Sequence, residues 1–249
     1  MEIKGLRKPK LIYLKEIYMF SLRKITFFML MAALAVSTVF AQQRRELTVE
    51  ESYLQQAMEN MIIRETARSN SREQKLIALE YIEDAISRGN TSDIILQTLQ
   101  FLSSEGRMNV AREEGRIINN FPDIRRRSAM FLGRLGTEEA ANALIQVLRF
   151  ENEPMVLQEA IKSLGNIGIN NNNETIANIA WVVRHFDQTN PNNLMALAAI
   201  DAFERIADAN DGLNSPEAIQ LLIRISEGPY VRPVQERARQ LLADLRSFN

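Results

Sequence analysis

A fourfold pattern of large and small side chains runs through the second half of the chain. Each copy has a large apolar residue at a reference position, a small residue four positions earlier, and large apolar residues eight positions earlier and three later. Residues three and four positions apart share one face of an α-helix, so each copy predicts an amphipathic helix with a site of close approach. The reference residues are Leu132, Leu164, Phe203 and Leu242, and the small residues are Ser128, Ala160, Ala199 and Ala238.

A second helix (B) is predicted after each of the first three of these helices (A). Thr137, Asn173 and Ser215 precede the segments EEAANALIQVL, ETIANIAWVVRHF and PEAIQLLIRIS, and all three residue types cap helix N-termini. Pro216 suits the first position of the third segment. Helix pairs that recur every 32 to 39 residues are typical of an α-solenoid.

Glycines occupy two kinds of position in the A helices. Gly136 and Gly168 follow the last apolar residue, where a left-handed residue commonly closes a helix. Gly133 and Gly165 lie inside the helices, where Gly is less favourable than Ala by about 1 kcal/mol. We interpret the interior glycines as points at which the B helix of the same pair packs against bare backbone, which would fold each pair into a tight hairpin.

The segment DIRRRSAMFLGRLG resembles the HEAT-like repeat family, including its short variety first described in phycobilisome lyases. The acidic Asp123, the aliphatic–Arg pair Ile124–Arg125 and the Leu132–Gly133 step carry the resemblance. It is closest for residues 122–150 and weakens toward residue 226. The fold that it implies is all-α, an α-solenoid of stacked antiparallel helix pairs whose B helices line a concave surface.

The repeat domain is expected to cover residues 71–249 and to end in a lone A helix. A further, looser helix pair opens this domain, and residues 42–70 are predicted as a polar N-terminal helix. That helix begins with Thr48 and Glu51, which have the spacing of a capping box. Residues 105–121 fit either a helix ended by Pro122 or a long connection.

Residues 1–41 have the pattern of a secretory signal peptide. Two basic residues precede an apolar run from Ile25 to Phe40, and small Ala41 ends the segment. The run is shorter than the 18 or more apolar residues of a spanning helix. We expect translation to start at Met19 and cleavage to follow Ala41, with an uncleaved signal anchor as the alternative. The chain is accordingly identified as an exported bacterial member of the HEAT-like family, in the periplasm or cell envelope, with no integral membrane segment after cleavage.

Charge and composition narrow the function further. Loss of residues 1–41, which carry seven basic and two acidic residues, would change the formal net charge from −1 to −6. Binding of nucleic acid needs clustered positive charge and is therefore disfavoured. The chain has no Cys, and His185 is its only His, so we expect no metal site and no cofactor.

The sequence favours a non-catalytic scaffold or adaptor that binds a protein or peptide. We expect no enzyme, because the carboxylate pairs are adjacent in sequence and point apart on a helix. Two alternatives remain: an enzyme of the HEAT superfamily, lyase-like or DNA-glycosylase-like, and a structural component of the envelope.

Trp181 is the candidate anchor for a partner. It lies opposite the apolar stripe of its B helix, and the resemblance places that face in the concave groove. A Trp ringed by polar residues is a common interface hot spot. The alternative is that Trp181 packs on a nearby loop or on the N-terminal helix. The candidate partner-binding residues on the B helices are Asn178, Trp181, Arg184, His185, Gln146, Arg149 and Ile223.

The basic run Arg125, Arg126 and Arg127 has two interpretations. It could be an anionic docking patch for an acidic peptide or a phosphate. Alternatively, Arg125 stands where HEAT-like repeats often carry an Arg that pairs with an Asp of a neighbouring repeat, and the other two are solvated. We favour the structural interpretation.

Overall fold

The computed structural model describes residues 48–188 and 191–247, so the leader expected at residues 1–41 lies outside the described part. The chain divides into two compact units, Met1–Leu54 and Gln55–Asn249. All the repeat helices belong to the second unit. In the described part the helices are α1 (Val49–Arg68), α2 (Arg72–Ser87), α3 (Asp93–Ser104), α4 (Pro122–Leu135), α5 (Glu138–Phe150), α6 (Pro154–Ile167), α7 (Glu174–Asp187), α8 (Asn193–Ala209), α9 (Pro216–Glu227) and α10 (Arg232–Ser247).

The repeat helices form two layers. Helices α2, α4, α6, α8 and α10 make up the A layer, and α3, α5, α7 and α9 make up the B layer. Each helix contacts the next member of its own layer, and most successive helices also pack across the layers. Contacts restricted to neighbouring repeats are what a solenoid requires. The predicted all-α solenoid of stacked helix pairs is confirmed.

The repeated stripe builds the core between the layers. The four small residues Ser128, Ala160, Ala199 and Ala238 are fully buried. The reference residues of the first three copies are buried as well. In the last copy Leu242 is only partly buried, and the preceding Leu241 takes the buried position.

Polar side chains cap the B helices as expected at two of three sites. Thr137 and Ser215 each accept a hydrogen bond from the backbone N–H three residues on, at 3.2 and 3.4 Å. Asn173 caps nothing, because it adopts a left-handed conformation with φ of 61°. Asn170 replaces it, since its Oδ1 accepts the N–H of Ile176 at 3.3 Å.

The interior glycines bring successive A helices together, so our interpretation of a close contact within each pair was wrong. A Cβ on Gly133 would lie 2.6 Å from the Cβ of Ser163 in α6. A Cβ on Gly165 would lie 2.6 Å from the Cα of Ala202 in α8. Two helix axes can approach this closely only where one of them has no side chain.

Gly133→Ala is expected to lower the free energy of unfolding by about 1–2 kcal/mol, measured by urea unfolding. The new methyl group overpacks the α4–α6 contact, at a cost near the upper end of about 1–3 kcal/mol. Its better helix propensity offsets about 1 kcal/mol of that loss. The double variant Gly133→Ala/Ser163→Gly moves the side chain to the other helix and should be more stable than Gly133→Ala alone. A double variant of equal or lower stability would show that the contact does not limit this position.

Residues 105–121 form a long connection, and the alternative of a helix there was wrong. Arg112–Glu113 and Arg116–Ile117 pair as a short antiparallel hairpin. The two residues between them, Glu114 and Gly115, both have positive φ, at 49° and 80°, as a two-residue hairpin turn of the I′ type requires. Pro122 begins α4 and does not end a helix.

Candidate functional site

Trp181 projects from the exposed face of the B layer. The residues of the opposite face of α7, among them Ile176, Ile179 and Val183, are buried in the core. Trp181 itself keeps 50% of its surface exposed. A large aromatic ring is therefore held at the surface by a helix whose other side is fixed.

The Trp181 ring is stacked on the only His of the chain. The centroids of Trp181 and His185 lie 5.4 Å apart with an angle of 10° between the planes. The two residues are one helical turn apart, where side chains of one helix face meet. His185 in turn meets the edge of Phe186, at 6.0 Å and 81°. The stack restricts the rotamers of Trp181, so less conformational entropy is lost when a partner covers the ring.

Polar residues beside Trp181 connect α7 to its neighbours in the B layer. The Nε of Arg149 donates to Oδ1 of Asn178 at 3.1 Å, and a terminal nitrogen of Arg149 donates to Glu174 at 3.0 Å. On the other side of Trp181, the positive charge of Arg184 acts on Glu217 of α9. The pKa of the Glu217 carboxyl is lowered by its own backbone N–H, by the Ser215 hydroxyl and, to a lesser extent, by the positive charge of Arg184.

Asp187 fixes the C-terminal end of the helix that carries Trp181. Its carboxylate accepts hydrogen bonds from Nε of Arg224 at 2.9 Å and from the hydroxyl of Tyr230. Burial, followed by the bond to Asp187, raises the pKa of the Tyr230 hydroxyl well above its ordinary value. Tyr230 therefore remains a proton donor at all ordinary pH values, and α7 stays tied to α9 and to the segment before α10.

The structure brings only part of the expected site together. Asn178, Trp181, Arg184, His185 and Arg149 lie on or beside one surface of α7. Gln146 instead lines a groove between α3 and α5, and Ile223 lines a separate groove between α9 and α10.

The α3–α5 groove has a volume of about 490 Å³, and sequence reasoning missed it. One of its walls is the start of the 105–121 connection, whose conformation no periodic pattern reveals. Two large apolar side chains, Met108 and Phe150, line the groove while remaining 56% and 51% exposed. Its lining residues are Gln100, Ser103, Ser104, Arg107, Met108, Glu139, Asn142, Ala143, Gln146, Val147, Phe150 and Glu151.

A buried ion pair lies at one end of this groove. The Nε of Arg125 is 2.5 Å from Oε2 of Glu151, and both side chains are almost fully buried. Arg107 reaches the other carboxylate oxygen of Glu151 at 3.0 Å. Burial raises the pKa of the Glu151 carboxyl, but hydrogen bonds from Arg125 and from the backbone N–H of Glu153 and Asn152 outweigh it and leave the pKa below its ordinary value.

A second buried pair lies on the other side of Arg125. The Nζ of Lys75 is 2.6 Å from Oε1 of Glu105, and it also donates to the backbone oxygen of Ala67 at 2.8 Å. Arg125 donates to the backbone oxygen of Glu105 at 3.2 Å and to Asn120 at 2.9 Å. These bonds join α2 and α4 to the 105–121 connection.

The three arginines of the basic run, Arg125, Arg126 and Arg127, have different environments. Arg125 is buried and is not accessible to a docking anion, and its partner is Glu151 of the same helix pair, whereas we expected an Asp of a neighbouring repeat. Arg126 is 3.6 Å from Glu159, and Arg127 is 3.5 Å from Glu83. Arg126 and Arg127 thus each already have a carboxylate on an adjacent A helix.

Two kinds of feature are absent from the described residues. No group of three or more His, Cys, Asp or Glu side chains in residues 48–188 and 191–247 is placed to hold a metal ion. Within the same ranges, no helix combines the length and the apolar character needed to cross a membrane.

Part of the chain matches a known family. Residues 116–187, which contain α4 to α7, match the family model of HEAT repeats. No curated protein matches the chain. Residues 116–187 are therefore similar to HEAT repeats, which suggests a scaffold kind of fold for this part of the chain.

Proposed function

We propose that this chain of HEAT-like repeats is a non-catalytic scaffold that binds a protein or peptide partner on the exposed face of its B layer, in the periplasm or cell envelope. The observation that carries the proposal is the half-exposed Trp181, stacked on His185 and directed away from the core. Trp is the residue type most enriched among interface hot spots.

The surroundings of Trp181 match the anatomy of a binding surface. Interfaces combine a central aromatic or apolar anchor with a polar rim that hydrogen-bonds the partner. Here Arg149 and Asn178 are already oriented by their mutual bond, and Arg184 stands on the other side of the ring. Groups held in place before binding lose little entropy when the complex forms.

The location rests on the leader-like residues 1–41. Their basic start, apolar run and small final residue are the features that export machinery recognises. The net charge of −6 expected after cleavage agrees with a partner other than nucleic acid.

A photo-crosslinking amino acid placed at His185, beside Trp181, tests this function in living cells. We expect irradiation to join the full chain to a discrete partner, and the product to be recovered in the periplasmic or envelope fraction. The matched control places the same amino acid at Lys162, which is exposed on the A layer. Equal crosslinking at both positions, or crosslinking at Lys162 alone, would refute binding through the B layer. Recovery from the cytoplasm would refute the location.

A further inference from the structure

The α3–α5 groove has the dimensions of a short extended peptide. It runs beside α5 from Glu139 to Phe150, a distance of about 17 Å at the rise of an α-helix. About five residues of extended chain span that length. Amide side chains that both donate and accept hydrogen bonds lie along it, which is what a peptide backbone requires. These are Gln100, Asn142 and Gln146.

The charges at the end of the groove near Phe150 are unbalanced. Two buried carboxylates, Glu105 and Glu151, face three cations there, namely Lys75, Arg125 and Arg107. One positive charge is therefore in excess in this cluster. Lys75 and Arg125 are buried, whereas the side chain of Arg107 is 25% exposed and lines the groove. The excess charge can reach a ligand only through the Arg107 guanidinium.

The other end of the groove carries a negative charge. Glu139 lies in the first turn of α5 and lines the groove without a cationic partner among the bonds and ion pairs of the described residues. A carboxylate bound in the groove would be attracted to Arg107 and repelled from Glu139. The two charges together therefore fix the end of the groove at which the acidic side chain of a peptide would lie.

We propose that the α3–α5 groove binds an extended peptide segment in which an Asp or Glu side chain meets Arg107 and an adjacent apolar side chain packs between Met108, Val147 and Phe150. This inference rests on the scaffold function proposed above and specifies the chemistry of the partner. An arginine fork holds a carboxylate through two parallel hydrogen bonds, which makes it more selective than a lysine. The exposed surfaces of Met108 and Phe150 supply the apolar contact that strengthens binding.

Arrays of random octapeptides probed with the purified full chain test the groove. We expect enrichment of sequences in which Asp or Glu stands next to a large apolar residue. A selected peptide and its Glu→Gln or Asp→Asn counterpart are then titrated by fluorescence anisotropy. Arg107→Gln should weaken binding of the acidic peptide at least tenfold and leave binding of the amide counterpart unchanged. Absence of acidic enrichment, or an acidic preference that survives Arg107→Gln, would overturn the proposal.

Two further variants keep this test decisive. Arg112→Gln removes the same charge from the same connection, at an exposed residue outside the groove, and should change neither affinity. Phe150→Ala truncates an exposed side chain and should weaken both peptides, even if Arg107→Gln fails to fold. An equal loss of affinity with Arg112→Gln would show that net charge alone causes the effect, and would overturn the assignment to Arg107.

The outcome also separates this inference from the scaffold function. Crosslinking at His185 without a preference for acidic peptides would support the scaffold function and overturn the proposal of peptide binding in the α3–α5 groove. A preference for acidic peptides that depends on Arg107, without crosslinking at His185, would support peptide binding in the α3–α5 groove and overturn partner binding at the Trp181 surface.

Discussion

Arg125→Met is expected to lower the free energy of unfolding by about 3–5 kcal/mol. The substitution removes the main partner of Glu151 and leaves a buried carboxylate that only Arg107 and two backbone N–H groups still stabilise. It also leaves the backbone oxygen of Glu105 without the bond that Arg125 donates. Met has a similar length, so the loss reports the missing bonds more than a cavity. Urea unfolding of the full chain at pH 7 measures the difference.

The neighbouring arginine supplies the matched control. Arg126→Met removes the same charge one position away, but Arg126 is exposed and stands 3.6 Å from Glu159. Exposed pairs of this kind contribute about 0–1 kcal/mol. Similar losses for the two variants would mean that net charge, and not the buried pair, sets the stability.

The same pair predicts how stability depends on pH. The pKa of Glu151 in the folded chain is below the ordinary value of 4.5. Its contribution to stability is therefore fully present above the unfolded pKa and is lost as the pH falls through the folded pKa. Arg125→Met removes the main hydrogen bond that lowers this pKa. We therefore expect the difference in free energy of unfolding between the unsubstituted chain and the Arg125→Met variant to become smaller below about pH 4.5.

Trp181→Ala is expected to weaken binding of the crosslinked partner at least tenfold while leaving the melting temperature nearly unchanged. A central Trp commonly contributes about 2 kcal/mol or more to an interface. The side chain is half exposed and stacks only at the surface of α7, so its loss opens no cavity in the core. Anisotropy or calorimetric titration with the purified partner measures the affinity.

Met155→Ala is the control for this substitution. Met155 is also a half-exposed apolar residue, but it lies on the A layer. Its truncation should leave the affinity unchanged. Trp181 is the only Trp of the chain, so its fluorescence also reports on this site alone. Emission that is already blue in the free protein, with a large drop in melting temperature for Trp181→Ala, would assign the residue to the core.

The repeat architecture could be predicted because it depends on local signals. The spacing of large and small residues fixes which face of each helix is apolar, and a helix with one apolar face must bury it against another helix. The caps at Thr137 and Ser215 and the left-handed ends at Gly136 and Gly168 involve only a few consecutive residues. The exposed position of Trp181 opposite the core stripe followed from the same helical geometry.

Contacts between residues distant in the sequence could not be predicted in this way. Gly133 lacks a side chain within its helix, but only the packed layers reveal that Ser163 of the next A helix occupies the space. Three adjacent arginines look alike in the sequence, yet one is buried against Glu151 and the next is exposed, because their side chains leave the helix 100° apart.

Local patterns in the sequence were thus enough to predict the helices, their buried faces, the solenoid class and the exposed position of Trp181. The stacking of the helices sets which of them approach at the glycines, which arginine is structural, and that the 105–121 connection forms one wall of the groove on α5. Periodicity records whether a side chain is buried, whereas its partner depends on how helices distant in the sequence are stacked. The connection has no period at all, and its path is set by the buried bonds of Glu105 and Asn119.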